Sequence, residues 1–261
     1  MKWLALIAVI LTGSLLIYGM SDFPAWGDPY SPANAGVEGG QESISQVFIE
    51  KTYPMTHVPN MVTAVLADYR GYDTMFETVV IFAAGIAIFA ILRVLGDQKD
   101  KTPRPELDTS VNGDHQRIII GTTCRLLIPV IQLFALYVVA HGHYSPGGGF
   151  QGGVILGASF ILVGLSENLN AALRRFSEKN FMAMASIGIL IYAGFGLVAQ
   201  FFSRNFLDYG VLQKVLFTPD EGWARYHSML GVEVGVTFTV TAIMFAIYAN
   251  LSSKGELENG L

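Results

Sequence analysis

Hydrophobic positions along this chain gather into six stretches separated by polar connections. Trp3 to Tyr18 is apolar behind Lys2, and Met75 to Leu95 has the length of about 20 residues that a bilayer requires. Further runs extend from Arg117 to Ala140, Phe150 to Leu165, Phe181 to Phe202 and His227 to Leu251. The Phe150 run is short and full of small residues, which suits helix contacts of the small-xxx-small kind. Leu16-Ile-Tyr-Gly-Met20 makes a poor signal cleavage site, so the first run is expected to stay as an anchored helix. The pattern predicts an all-α, polytopic integral membrane protein of about six transmembrane helices, two followed by four.

The connections carry their own signals. Ser21 to about Tyr53 is rich in Gly, Pro, Ser and Asn and predicts a long, partly irregular loop. Asn60 to Tyr69 predicts a short amphipathic helix on the surface, turning at Arg70-Gly71. Thr74-Met-Phe-Glu77 has the T-x-x-E pattern of a capping box and predicts the start of the second span. Gly96 to Gln116 is charged and almost free of apolar residues, so it predicts a linker between two modules. Ser166 to Asn180 is polar, and Ser203 to Tyr226 predicts a loop with a short helix of its own.

Composition sharpens this picture. Of the 261 residues 52% are hydrophobic and 14% charged, against about 25% charged in a typical soluble domain. The single cysteine, Cys124, lies in an apolar run and excludes a disulfide framework or a cysteine metal site. The net charge of −5 comes with no basic stripe, so no nucleic-acid partner is expected. With six spans and both termini inside, Lys2, Arg93, Lys99, Lys101, Arg104, Arg117, Arg174, Arg175, Lys179 and Lys254 fall on the cytoplasmic side. Lys51, Arg70, Arg204, Lys214 and Arg225 fall outside, and this ten-to-five bias favours cytoplasmic termini. The Ser21–Tyr53 loop is then extracytoplasmic and the charged linker cytoplasmic.

The chemistry concentrates around His141-Gly-His-Tyr-Ser-Pro-Gly-Gly-Gly-Phe-Gln-Gly-Gly153, a stretch without lysine, arginine or carboxylate between two apolar runs. Pro146 stops a preceding helix, and Gly147, Gly148 and Gly149, followed by Phe150, Gly152 and Gly153, permit a sharp return into the membrane with close helix packing. Without a preceding strand or a Gly-Lys-Ser/Thr ending it is not a phosphate loop. His141 and His143, two apart, are read either as plain hydrogen-bonding groups of the turn or, sharing one face of an extended segment, as groups that take or release protons near neutral pH; they lack the further ligands a zinc site needs. Arg125 and Glu233 are charges inside spans, each costing at least about 2.5 kcal/mol on insertion scales. Glu233 is a candidate for an ion route, with Arg125 biasing its charge. The alternative is that Arg125 snorkels and Glu233 ties helices together. Asp68, Arg70, Asp73 and Glu77 form a further polar group, read as capping plus a local Asp–Arg pair or as an ion entry.

The glycine stretch, with Arg125 and Pro129 on the preceding run and Glu233-Val-Gly on the last, resembles the B subunit of Mrp-type multisubunit cation/proton antiporters. Related membrane arms of energy-converting hydrogenases and sulfane reductases carry the same module. Asn60 to Glu77 resembles the small E-type component of those hydrogenases, equivalent to the extreme C-terminal part of the large A-type component of the antiporters. The resemblance implies a two-helix module at 1–97, a polar linker at 98–114, a four-helix B-like module at 115–251 and a polar tail at 252–261. It further implies an accessory component of the prokaryotic cytoplasmic membrane with no catalytic centre, metal or cofactor. Its expected partners are lipid, large proton-translocating subunits and small hydrophobic ones, and the ions H⁺ and a monovalent cation, with Na⁺ favoured. The rival implication is a membrane-arm component of a redox-driven complex such as a membrane-bound hydrogenase or sulfane reductase.

Overall fold

The computed structural model describes residues 2–35, 42–97, 113–202 and 205–253, so most of the expected linker and most of the tail lie outside the described residues. It is all-α among those residues, with six helices long and apolar enough to cross a membrane. These are α1 (Lys2–Met20), α2 (Gly71–Asp97), α3 (Gly113–Ala140), α4 (Gly149–Ser166), α5 (Glu178–Phe201) and α6 (Glu221–Ser253). The chain is a multi-pass membrane protein by this pattern. It divides into two compact units, Met1–Lys51 and Thr52–Leu261.

The first unit holds α1, short helices at Pro32–Ala35 and Ile44–Gln46, and a π-helical turn at Val47–Lys51. Ser43 and Gln46 form a reciprocal capping box at the start of Ile44–Gln46, and Lys51 pairs with Glu42 at 2.5 Å.

The second unit is built around α6, whose 33 residues correspond to about 50 Å of helix. Of its apolar window 67% is buried, against 17% to 39% in α2, α3, α4 and α5, so α6 is the axis and the others surround it. Burial on all sides suits its composition of glycine, alanine, valine and threonine. Its polar side chains donate to carbonyls: Thr237 to Glu233 (2.8 Å), Thr239 to Ala185 of α5 (2.9 Å), Thr241 to Gly153 of α4 (3.1 Å) and Asn250 to Ala246 (2.9 Å). No water is available in hydrocarbon, so such internal bonds are obligatory, and the two that cross to α5 and α4 contribute about 0.6 kcal/mol each.

Glycines fix how the helices run. Along α4, a Cβ on Gly149, Gly153, Gly157 and Gly164 would meet Glu233, Val240, Met244 and Tyr248 of α6 in turn, so α4 and α6 run parallel in close contact. Gly85 of α2 meets Ile243, whereas Gly188 of α5 meets Gly235 and Thr239, and Gly231 meets Phe195, so α5 runs the opposite way. Gly152 packs on Ala135 and Val139 of α3. Phe160, Phe176, Phe181 and Phe245 cluster at one end of the bundle, and Tyr192, Tyr209, Leu212 and Met229 at the other.

Some elements differ from what the sequence pattern predicts. Helix α2 starts at Gly71, so Thr74 and Glu77 are already helical and form no capping box; the Thr74 hydroxyl donates to the Leu66 carbonyl at 2.8 Å. The segment before α2 is a helical turn, Met61–Ala64, capped by Asn60, followed by a π turn, Val65–Tyr69, which runs through Arg70 straight into α2. Helix α3 ends at Ala140, six positions before Pro146, and the hydrogen-bonded turns at 141–144 do the stopping.

Candidate functional site

The expected glycine turn joins α3 to α4, and within it only Gly148 adopts the left-handed side of backbone space, at φ 121°. Gly148 donates its N–H to the Val138 carbonyl at 3.1 Å, folding the turn back on the end of α3. The turn is also held by residues to which the sequence pattern assigns no role. The Asn60 amide donates to the carbonyls of Gly142 (2.8 Å) and Ser145 (3.0 Å), and the Thr63 hydroxyl donates to Gly142 at 2.6 Å. The Asn60 N–H bonds the His143 carbonyl at 2.9 Å. Asn60 opens the Asn60–Glu77 stretch, but only the fold brings it beside residue 142.

Glu233 lies against this turn. It is 8% exposed, and its Oε2 has no hydrogen-bond partner among the described residues. A Cβ on Gly148 would come within 2.9 Å of Oε1, and one on Gly142 within 3.1 Å of Oε2. A Cβ on Gly149 would collide with the Glu233 backbone. The glycines are therefore small because a carboxylate occupies the inside of the bend. That bend is also the N-terminal end of α4, where the helix dipole favours negative charge.

Glu233 borders a cavity of about 450 Å³ that also reaches Glu77, Thr63, Thr74, Thr78 and Tyr192. Pro146, Gly147, Gly148, Gly149 and Phe150 form one wall of it. Glu77 is exposed, so the two carboxylates lie at sites of very different solvation. Asp68 and Asp73 do not join them. Asp68, partly buried, accepts from Arg225 at 2.6 Å, and Arg225 lies over the Tyr69 ring at 5.2 Å. Burial raises the Asp68 carboxyl above its ordinary range, while the bond to Arg225 and its charge pull it down. Asp73 pairs with Arg70 at the surface, the local Asp–Arg pair expected in this group.

Arg125 is not near Glu233. Its side chain is 70% exposed and its Nε donates to Glu167 at 3.1 Å, a carboxylate that also receives Arg175 at 3.3 Å. Glu167 follows α4 and Glu233 lies at its start, so the 18 residues of that helix separate the two sites by about 25 Å. The structure therefore does not bring Arg125 and Glu233 together; Arg125 bonds instead to the residue that follows α4. The histidines also differ from expectation, because 141–144 is a turn and not an extended segment. His141 stacks on Tyr137 at 3.9 Å, and His143, 1% exposed, meets Tyr226 edge-on at 4.3 Å. Burial, helped by His227, pushes the His143 imidazole down to about 4, which leaves it neutral near pH 7.

Comparisons with known proteins agree with this architecture. A family model described as a domain related to the MnhB subunit of Na⁺/H⁺ antiporter matches residues 119–246, and the MbhE model, which describes the E-type component of MBH, matches residues 37–108. An uncharacterized protein of Methanocaldococcus jannaschii is 31% identical over 188 residues, covering 68% of each chain. A probable K⁺/H⁺ antiporter A/B component of Rhizobium meliloti is 29% identical over 180 residues, covering 64% of this chain but 18% of that longer protein. Among solved structures, a chain of the Mrp complex from Dietzia sp. superposes with a TM-score of 0.65 at 24% identity, covering 99% of this chain and 27% of that one. A chain of an archaeal membrane-bound sulfane sulfur reductase gives 0.55 at 26% identity, covering 93% and 97%. The first of these models covers α3 to α6, the helices that carry the bend and Glu233, and by these matches the chain belongs to the MnhB-related family of antiporter-subunit domains, with an MbhE-like domain ahead of it.

Proposed function

We propose that this chain is an accessory membrane component of an Mrp-type cation/proton antiporter complex, with Na⁺ as the expected cation. It acts in transport rather than as an enzyme. The single observation that carries the reading is Glu233, a buried carboxylate within the MnhB-related region that borders a cavity also reached by Glu77. The apolar faces of α2, α3, α4 and α5 remain largely uncovered in the isolated chain, which suits packing against large proton-translocating subunits, small hydrophobic subunits and lipid. The parallel course of α2, α4 and α6 is compatible with both termini in the cytoplasm, the glycine turn facing outward and the 98–114 linker inside. In this reading residues 1–97 and 115–251 are two joined modules in a prokaryotic cytoplasmic membrane, and Glu233 borders the ion route, while His141, His143, Asp68 and Asp73 hold the structure at that end of the bundle and Arg125 ties α3 to the far end of α4.

The test uses everted membrane vesicles carrying the whole complex with a fluorescent pH-gradient dye. Added Na⁺ is expected to collapse a respiration-driven proton gradient, and Glu233→Gln to abolish that response with the complex still assembled. Unchanged Na⁺-driven proton flux in the variant would remove Glu233 from the route. A second reading, a membrane-arm component of a redox-driven complex, draws on the likeness to the sulfane sulfur reductase chain over nearly its whole length. Iron–sulfur subunits co-purifying with the chain would favour it.

A further inference from the structure

The hydroxyl groups of the residues that line the Glu233 cavity share an orientation that limits what the cavity can hold. Each hydroxyl hydrogen is directed away to a backbone carbonyl: Thr63 to Gly142 (2.6 Å), Thr74 to Leu66 (2.8 Å), Thr78 to Thr74 (2.8 Å) and Tyr192 to Gly71 (2.9 Å). These hydroxyls, on residues that line the cavity, keep lone pairs and have no free hydrogen to offer. The Asn60 amide hydrogens are likewise committed to Thr63, Gly142 and Ser145. Gln151, also on the wall, has an amide oxygen that it can turn inward. No lysine, arginine or histidine among the described residues lines the cavity. The nearby cation Arg225 is committed to Asp68.

We propose that this cavity is a binding site for one monovalent alkali cation that keeps part of its water shell, with Glu233 as the buried charge and Glu77 as the exposed one. The inference rests on the antiporter-subunit reading and deepens it by assigning the ion a resting place within this chain. Its independent support is Glu233 itself, whose buried, unpartnered Oε2 lacks a counter-charge that a cation would supply. A surrounding of hydroxyl lone pairs suits an alkali ion, because a proton needs only one base. Calcium is disfavoured, since it takes six to eight oxygens with several carboxylates among them, and no group of three or more His, Cys, Asp or Glu comes together among the described residues. An anion would find two carboxylates and no cationic side chain. The cavity volume of about 450 Å³ leaves room for the retained water.

The test requires no substitution in its first arm. The intact complex in membranes is treated with dicyclohexylcarbodiimide, which converts accessible carboxyls in apolar surroundings to acylureas, in choline chloride, NaCl or KCl of equal ionic strength. Mass spectrometry reads the adduct on Glu233. Labelling in choline is expected to fall about tenfold when NaCl or KCl stands at ten times its dissociation constant, by simple occupancy. Thr78→Val keeps the shape and removes one oxygen, so it should raise the cation concentration for half-protection about five- to tenfold. Glu77→Gln should raise it as well. Equal labelling in all three salts, or a Glu233 that the reagent does not reach in choline, would overturn the proposal. A complex that exchanges cations for protons in vesicles yet gives equal labelling would lose the site and keep the antiporter reading. Protection in a complex without exchange would do the reverse.

Discussion

Substituting Gly149 by alanine should damage this protein far more than the same change at Gly194, although both glycines lie in apolar helices. A Cβ on Gly149 would sit against the Glu233 carbonyl, 2.8 Å from its carbon and 3.0 Å from its Cα. Ordinary contacts of this kind need roughly 3.5–4 Å, and all three atoms are backbone, so no side chain can swing aside. The first turn of α4 must therefore shift by about 1 Å from α6, at the overpacking cost of about 1–3 kcal/mol. At Gly194 nothing lies within 4 Å of the added atom, and alanine gains up to about 1 kcal/mol of helix propensity. The two variants should differ by about 3 kcal/mol, which is over a hundredfold in the folded fraction. Thermal unfolding of the purified complex, followed by loss of the assembled band on native gels, measures the difference. Equal midpoints would refute the claim that the α4–α6 contact is set by backbone proximity at Gly149.

Three further outcomes follow from particular contacts. Asn60→Ala removes a helix cap and two bonds to the turn, which together should cost about 2–4 kcal/mol; hydrogen exchange at 142–146 should quicken, and unchanged exchange would rule out the clamp. His143 is held neutral, its imidazole pushed down to about 4, against about 6.5 when unfolded. Between those values the unfolded chain binds the extra proton, so stability is fully present above pH 6.5 and falls by up to about 3 kcal/mol as pH drops to 4. A His143→Gln variant should flatten that part of the pH–melting curve. Removing one member of the part-buried Asp68–Arg225 pair, as in Asp68→Asn, should cost up to about 3 kcal/mol, while Asp68→Leu with Arg225→Met should recover most of it. A double-mutant cycle on melting temperature reads the coupling.

The spans were legible because length and hydropathy are properties of local sequence. Each long helix overlaps its predicted run, and the small residues of the fourth run do mark a close contact. The start of α2 was misread because Thr74 and Glu77 satisfy a pattern that is decided by what precedes it: the π turn at Val65–Tyr69 delivers the chain already helical at Gly71. Partners were the least legible feature. Nothing local to Arg125 names Glu167, 42 positions away, and nothing local to Asp68 names Arg225, 157 positions away. For Arg125 the natural reading was the other charge inside a span, Glu233, and packing selected Glu167; for Asp68 it was the local group around Arg70, and packing selected Arg225.

The glycine turn and Glu233 were legible separately but not as one device, and their juxtaposition explains both. A carboxylate inside a membrane module is costly, and here the bend lies close against it while no cationic side chain among the described residues pairs with it. Gly142 and Gly148 let the carboxylate enter the bend, and Gly149 lets α4 press its N-terminal end against the backbone of residue 233. Asn60 and Thr63 hold the same bend from the side of the MbhE-like segment. The two matched domains therefore meet at the carboxylate: one supplies Glu233 and the bend, the other supplies the clamp and, through Glu77 and Thr78, the facing wall of the cavity. A displacement of either domain would alter the solvation of Glu233 directly. That gives a physical reason for joining the two domains in one chain, because covalent linkage keeps the wall and the carboxylate at a fixed local concentration.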